Sequence, residues 1–76
     1  PQKLIVEALD NVSLKVSIDG KDPQDINLGA DQIQTFTAKG KIKVSTNNGG
    51  AISVIHNGRD LGVPGNLGQP KTLAFP

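Results

Sequence analysis

The chain has no cysteine, methionine, tryptophan or tyrosine, and its two phenylalanines give an aromatic content of 3%. A disulfide framework is therefore excluded, and a zinc site lacks a second ligand because His56 is the only histidine. Platforms that stack nucleic-acid bases need several exposed aromatic side chains, and sugar platforms built on Trp or Tyr have the same requirement. We expect no metal and no cofactor, and a fold held together by an apolar core alone.

Charge of one sign and long apolar runs are also scarce. Eight basic and seven acidic residues give a net charge of +1, and the basic residues are scattered rather than clustered. This pattern argues against a nucleic-acid partner, which favours a basic stripe. No run approaches the roughly 18 apolar residues of a membrane span, so we expect no direct membrane insertion by this segment. The 76 residues predict one domain, 1–76, and a start at Pro1 suggests a segment of a longer protein.

The strongest structural signal is a two-residue alternation. Val12, Leu14, Val16 and Ile18 are apolar, and the residues between them are polar. In a strand these two sets face opposite sides, so one side is buried and the other is solvated. Residues 3–9 also predict a strand, joined to 12–18 by a hairpin or a bent corner, although Ile5 breaks the alternation.

The remaining chain predicts further short strands separated by turns. Asp19-Gly20 and Asn57-Gly58 are typical of type I′ hairpins, with short return strands at 25–28 and 59–61. In the strand at 32–38, Phe36 is the expected anchor with Gln34 and Ala38 on its face, while Ile33 falls on the other face. No segment has helical apolar spacing, and we find no convincing internal repeat. The prediction is an all-β fold, a small antiparallel β-sandwich, Ig-like or barrel-like, of about seven short strands.

Few residues are candidates for chemistry. His56 with Asp60 would form the acid–base pair of a hydrolase, but a histidine at a strand end more often covers the core or pairs across the hairpin. Aspartates at positions 19, 22, 25 and 31 invite a calcium interpretation, yet no glutamate follows at the required spacing, and Asp at turns ordinarily bonds nearby backbone. We therefore expect no catalytic residue, no metal ligand and no enzymatic activity.

The order of the motifs resembles a known family. The motifs are Leu4, Val6 and Ala8; the alternation from Val12 to Ile18; Leu28-Gly29-Ala30-Asp31; Phe36; Ile42 and Val44; Asn47-Asn48-Gly49-Gly50; Asn57-Gly58; Leu61-Gly62, Gly65 and Gly68; and Leu73 and Phe75. Together they are similar to the C-terminal domain of RodZ-type bacterial cell-shape proteins, over nearly the whole chain.

The resemblance implies a parent with a cytoplasmic helix-turn-helix domain, one transmembrane helix and this domain on the periplasmic, extracytoplasmic side of the inner membrane. It implies a non-catalytic interaction or scaffold module whose partner is a protein of the cell-envelope or wall-synthesis machinery. The alternative is a carbohydrate-binding module that recognises peptidoglycan glycan. Because loops carry most binding residues, the candidate interaction loops are those of Asn47, Asn48, His56, Asn57, Arg59 and Asp60.

Overall fold

A computed structural model describes residues 1–76 and contains eight β-strands and no α-helix. The strands are β1 (Gln2–Ala8), β2 (Val12–Ile18), β3 (Gln24–Leu28), β4 (Ile33–Ala38), β5 (Ile42–Thr46), β6 (Ile52–His56), β7 (Arg59–Gly62) and β8 (Lys71–Phe75). There is one strand more than the expected seven, and both predicted short return strands are present. The chain has no helix with the length and hydropathy needed to cross a membrane.

The strands form two four-stranded antiparallel sheets. Sheet A has the order β4-β1-β6-β7, and sheet B has the order β3-β2-β5-β8. The molecule measures 30 × 25 × 18 Å, and the shortest extent suits two sheets stacked about 10 Å apart. This confirms the predicted small antiparallel β-sandwich.

The core lies between the two sheets and follows the alternation of the sequence. Val12, Leu14 and Val16 are buried, the polar residues between them are exposed, and Ile18 packs against the core from its margin. Phe36 and Ala38 are buried as predicted, but Gln34 is exposed. Gln34 pairs with the buried Val6 and belongs to the inward face, but β4 is an edge strand, so this side chain reaches solvent at the side of the sandwich.

The turns follow the glycine and asparagine signals. Asp19 and Gly20 have φ of 54° and 75°, and Asn57 and Gly58 have φ of 51° and 81°. Two consecutive positive φ values define the type I′ turn, which closes the β2–β3 and β6–β7 hairpins. The first two strands do not form a hairpin: β1 lies in sheet A and β2 in sheet B, so the chain turns a corner there.

The antiparallel strands give the sandwich two distinct ends. The upper end consists of the connections 9–11, 29–32, 47–51 and 63–70. The lower end consists of both termini, the two type I′ turns and the connection 39–41. The termini are adjacent, since the side-chain amide of Gln2 donates to the carbonyl oxygen of Phe75 at 3.2 Å.

The fold has an internal two-fold repeat, so the expectation of no repeat was wrong. Residues 1–38 and 39–76 each supply four strands, two to each sheet, and the second half repeats the first with the sheets exchanged. The pair β1·β4 in sheet A corresponds to β5·β8 in sheet B, and β2·β3 corresponds to β6·β7. The two halves meet where β1 pairs with β6 and β2 pairs with β5.

Hydrogen bonds and sequence agree on this repeat. The Asp19 N–H donates to the Lys41 carbonyl oxygen at 2.8 Å, and the Asn57 N–H, 38 positions later, donates to that of Lys3 at 2.8 Å. Five residues of 3–22 are identical 38 positions on, namely Lys3/Lys41, Val6/Val44, Val16/Val54, Gly20/Gly58 and Asp22/Asp60. The repeat is hidden in the sequence because core positions accept any apolar side chain and outward positions are free to diverge.

Candidate interaction surface

The loop residues singled out from the sequence lie at opposite ends of the sandwich. Asn47 and Asn48 belong to the upper end, whereas His56, Asn57, Arg59 and Asp60 belong to the β6–β7 hairpin at the lower end. An antiparallel sheet places alternate connections at alternate ends, so no single site combines the two sets. The structure therefore defines two separate groups rather than one loop surface.

The two upper asparagines are occupied by bonds within the chain. The Asn47 Oδ1 accepts the Ser13 N–H at 3.1 Å. The Asn48 Oδ1 accepts the N–H groups of Gly50 at 3.2 Å and Gly68 at 2.9 Å, which ties two upper connections together. These bonds engage the side-chain oxygens of both asparagines and stabilise the upper loops.

The histidine and the aspartate of the lower hairpin face opposite ways. His56 pairs with the buried Leu4 and shares its inward face, where its ring stacks on Phe75 with centroids 4.2 Å apart. Its Nε2 lies 2.6 Å from the Gln2 Oε1. Asp60 pairs with Ile55 on the outward face, and its Oδ1 accepts the Gly62 N–H at 2.8 Å. Because they lie on opposite faces, His56 and Asp60 do not form the acid–base pair considered from the sequence.

Asp19 and Asn57, in the two type I′ turns of the lower end, accept hydrogen bonds from neighbouring segments of the chain. The Asn57 Oδ1 accepts the Lys3 N–H at 2.8 Å. The Asp19 carboxylate accepts the N–H groups of Gly40 and Lys39, and these bonds, the Gly40 one above all, lower the pKa of Asp19. No three His, Cys, Asp or Glu side chains come together in a geometry that could hold a metal ion. Arg59 is exposed.

The outward faces of the two sheets differ sharply in polarity. The outer face of sheet A is formed by Ile33, Thr35 and Thr37 of β4, Lys3, Ile5 and Glu7 of β1, Ser53 and Ile55 of β6, and Asp60 of β7. The outer face of sheet B is formed by Asp25 and Asn27 of β3, Ser13, Lys15 and Ser17 of β2, Lys43 and Ser45 of β5, and Thr72 and Ala74 of β8. Three isoleucines thus lie on one face, and the largest apolar group on the other is Ala74.

The exposed large apolar residues extend this difference. They are Leu9 (48% exposed), Ile33 (60%), Leu61 (45%), Val63 (49%) and Leu67 (74%). All of them lie on strands of sheet A or in connections that leave it, and none lies on a strand of sheet B. Exposed apolar side chains concentrated on one side of a small protein favour an interaction site there.

The repeat provides an internal control for the apolar face. The equivalents of Ile5 and Ile55 on sheet B, 38 positions away, are Lys43 and Ser17. Glu7 and Ser45 are also equivalent residues. Ile33 pairs with Glu7 and Thr72 pairs with Ser45, so Thr72 is the equivalent of Ile33. The same strand positions are therefore satisfied by polar residues in the other half, and the fold itself does not require isoleucine there.

The outer face of sheet B is a hydrogen-bonded polar surface. The Ser13 Oγ donates to the Asn27 Oδ1 at 2.8 Å, and the Ser45 and Thr72 hydroxyls lie 3.2 Å apart. Lys15 and Asp25 are paired across the strands beside a shallow groove. Hydroxyl and amide groups of this kind are compatible with a sugar, but no aromatic ring lies among them.

The sequence carried a partial signal for the apolar face. Ile5 and Ile33 are the residues that break the inward alternation of their strands, and the structure shows that both face outward. Ile55 gave no signal, because an apolar residue in a short apolar strand does not reveal its direction. Comparing positions 38 residues apart would have identified it as an isoleucine where the other half has serine.

The geometry defines a class of molecule: a duplicated eight-stranded β-sandwich with one apolar and one polar outer face. No protein-family model, no curated protein and no solved structure matches the chain.

Proposed function

We propose that this chain is a non-catalytic protein-interaction module of a RodZ-type, membrane-anchored cell-shape protein, acting on the extracytoplasmic side of the bacterial inner membrane. Its partner is a protein of the cell envelope or of the wall-synthesis machinery. The observation that carries the proposal is the apolar outer face of sheet A, which has isoleucine where the polar face of sheet B has lysine, serine and threonine.

The arrangement of the two ends supports this function. Both termini lie at the lower end, so a tether to a membrane attached there leaves the two broad faces and the upper loops accessible. The paired Ile5 and Ile55 lie at the centre of the face with Lys3, Glu7 and Asp60 around them, which matches the apolar centre and polar rim of protein–protein interfaces. The order of motifs shared with the RodZ-type domain supports the assignment to a cell-shape protein.

The second candidate is binding of wall glycan, and the polar outer face of sheet B favours it. Ser13, Asn27, Ser45 and Thr72 offer hydroxyl and amide groups along neighbouring strands. Glycan recognition normally adds an aromatic ring that stacks on the sugar, and both phenylalanines of this chain lie on the inward side of their strands. We therefore rank this function second.

The two candidates are separated by one titration with two arms. The isotope-labelled chain is titrated first with purified extracytoplasmic domains of wall-elongation proteins and then with soluble peptidoglycan glycan fragments. We expect the protein arm to shift amide signals of β1, β4 and β6 saturably, and the glycan arm to leave the spectrum unchanged. Glycan binding on β2 and β5 without protein binding would transfer the function to the alternative, and silence in both arms would overturn both.

A pair of variants localises the surface. Ile5→Lys places the residue of the sheet B equivalent on sheet A and should weaken protein binding at least tenfold. Lys43→Ser changes the equivalent position of sheet B and should leave protein binding unchanged. Equal weakening by both variants would show that the apolar face is not the contact surface.

A further inference from the structure

We infer that the outer face of sheet A is also a self-association surface, on which a second copy of this chain docks face to face. The two-fold axis runs parallel to the strands between β1 and β6. This inference deepens the proposed function, on which it rests for the orientation of the two tethers.

The first argument is the complementarity of the rows across sheet A. Residues paired across the sheet form rows, and a central row contains Thr35, Ile5, Ile55 and Asp60 in strand order. A two-fold axis between β1 and β6 reverses this order in the second copy. Ile5 then faces Ile55 of the second copy, and Thr35 faces Asp60, whose carboxylate accepts a hydrogen bond from a hydroxyl group.

The neighbouring rows are complementary under the same axis. Glu7 faces Ser53 of the second copy, and Lys3 faces Asn57. The exposed Ile33 of β4 faces the β7 edge that carries Leu61. No charged side chain faces a like charge, and Ile5 and Ile55 meet each other at the centre of the face.

A perpendicular axis, along the row instead of along the strands, gives a poorer match. It brings Glu7 over Lys3 and Ile5 over Ile5 of the second copy, but it also places Asp60 over Asp60 and Ile33 over Thr37. Facing carboxylates are repulsive, and an isoleucine against a threonine loses apolar contact. The strand-parallel axis is therefore preferred, and it places the four chain termini at one end, as two tethers in one membrane require.

The size of the face sets the strength of the contact. Four strands about 4.8 Å apart and five residues of about 3.4 Å each give a face near 19 × 17 Å, so two copies bury on the order of 650 Å² together. Stable complexes bury about 1,200–2,000 Å², so this dimer is weak in solution. Tethering two copies in a membrane raises their effective concentration and makes a weak contact sufficient.

The test is sedimentation of the chain over about 20 μM to 2 mM, a range suited to an interface of this size. We expect the mass to rise from monomer to dimer, and Ile5→Lys and Ile55→Ser each to weaken the association at least tenfold. Both substitutions install the residue type found at the equivalent sheet B positions, so the variants should fold, and thermal melting checks this. Lys43→Ser on sheet B is the matched control and should leave the association unchanged. A chain that remains monomeric throughout, or a control that weakens association as strongly, overturns the inference.

Two substitutions at one position test the axis. Thr35→Lys faces Asp60 of the second copy and should tighten the dimer severalfold, whereas Thr35→Asp should weaken it severalfold. The opposite order, or equal weakening by both, contradicts the strand-parallel arrangement.

The inference and the proposed function can be disproved separately. A monomeric chain whose β1 and β6 signals still respond to an envelope protein disproves only the dimer, and a dimer that ignores every such protein disproves only the partner.

Discussion

At the scale of single residues, side chains in the two type I′ turns form hydrogen bonds that hold each hairpin to a neighbouring segment. Asp19 and Asn57 occupy equivalent positions in the two halves. The Asp19 carboxylate accepts the N–H groups of Lys39 and Gly40 in the connection before β5, and the Asn57 Oδ1 accepts the Lys3 N–H of β1. A carboxylate is the stronger acceptor of the two, but unlike the amide it can be protonated. The hydrogen bonds of the Asp19 turn therefore depend on pH, whereas those of the Asn57 turn do not.

Acid should weaken the hydrogen bonds that the Asp19 carboxylate accepts in the first half. The Gly40 and Lys39 hydrogen bonds lower the pKa of Asp19 below the ordinary aspartate value of 3.8, so the stabilisation is complete above that value and is lost as pH falls through the lowered pKa. We expect Asp19→Asn to flatten the loss of unfolding free energy below about pH 4, as measured by urea denaturation at a series of pH values. A carboxyl titration of Asp19 by NMR with its midpoint at or above 3.8 would contradict this explanation.

At the scale of elements, the sequence predicted more of the sheets than of their arrangement. The alternation of Val12, Leu14 and Val16 identifies a strand and its buried face because both are local properties of one segment. Which sheet a strand joins depends on pairing between distant segments, as in β1 with β6, and no local pattern encodes it. For the same reason the sequence could not show that Ile55 lies beside Ile5, and this pair is the centre of the candidate surface.

The upper loops pack against each other so closely that one glycine is required. A Cβ on Gly50 would lie 2.3 Å from the Leu67 nitrogen and 2.6 Å from the Asn66 carbonyl carbon, and these backbone atoms cannot move cheaply. We expect Gly50→Ala to lower the free energy of unfolding by about 1–3 kcal/mol in chemical denaturation. Gly29→Ala is the control, because its nearest neighbour would be the flexible Gln32 side chain at 3.5 Å, and it should cost clearly less. Equal losses would mean that the loop contact contributes little.

At the scale of the whole molecule, the two-fold repeat relates the adjacent ends of the chain, residues 1 and 76, to the connection between β4 and β5 that joins the two halves. The termini are adjacent through Gln2 and Phe75, and residues 39 and 40 occupy the corresponding place in the second half. Most inward positions are apolar in both halves, with Thr46 and His56 as exceptions, whereas the outward faces of the two halves differ in polarity. The divergence leaves one face apolar and free to bind.

The equivalence of the two halves predicts that the order of the halves can be exchanged. A permuted chain that runs from 39 to 76, continues through a short glycine linker and ends with 1 to 38 should fold to the same sandwich. Cooperative thermal melting and an amide spectrum that matches the parent would confirm this. A permutant opened after Gly58 breaks the type I′ turn between β6 and β7 and should be less stable. Failure of the first permutant to fold, with the second intact, would contradict the repeat as a structural principle of this chain.

The central claim is that the outer face of sheet A is the surface by which this molecule binds, and a dilution series of the isotope-labelled chain tests it most directly. Amide signals of β1, β4 and β6 should move with concentration, with the largest shifts near Ile5 and Ile55, while those of β2 and β5 stay fixed. Shifts centred on the outer face of sheet B, around Lys15 and Ser45, would contradict it.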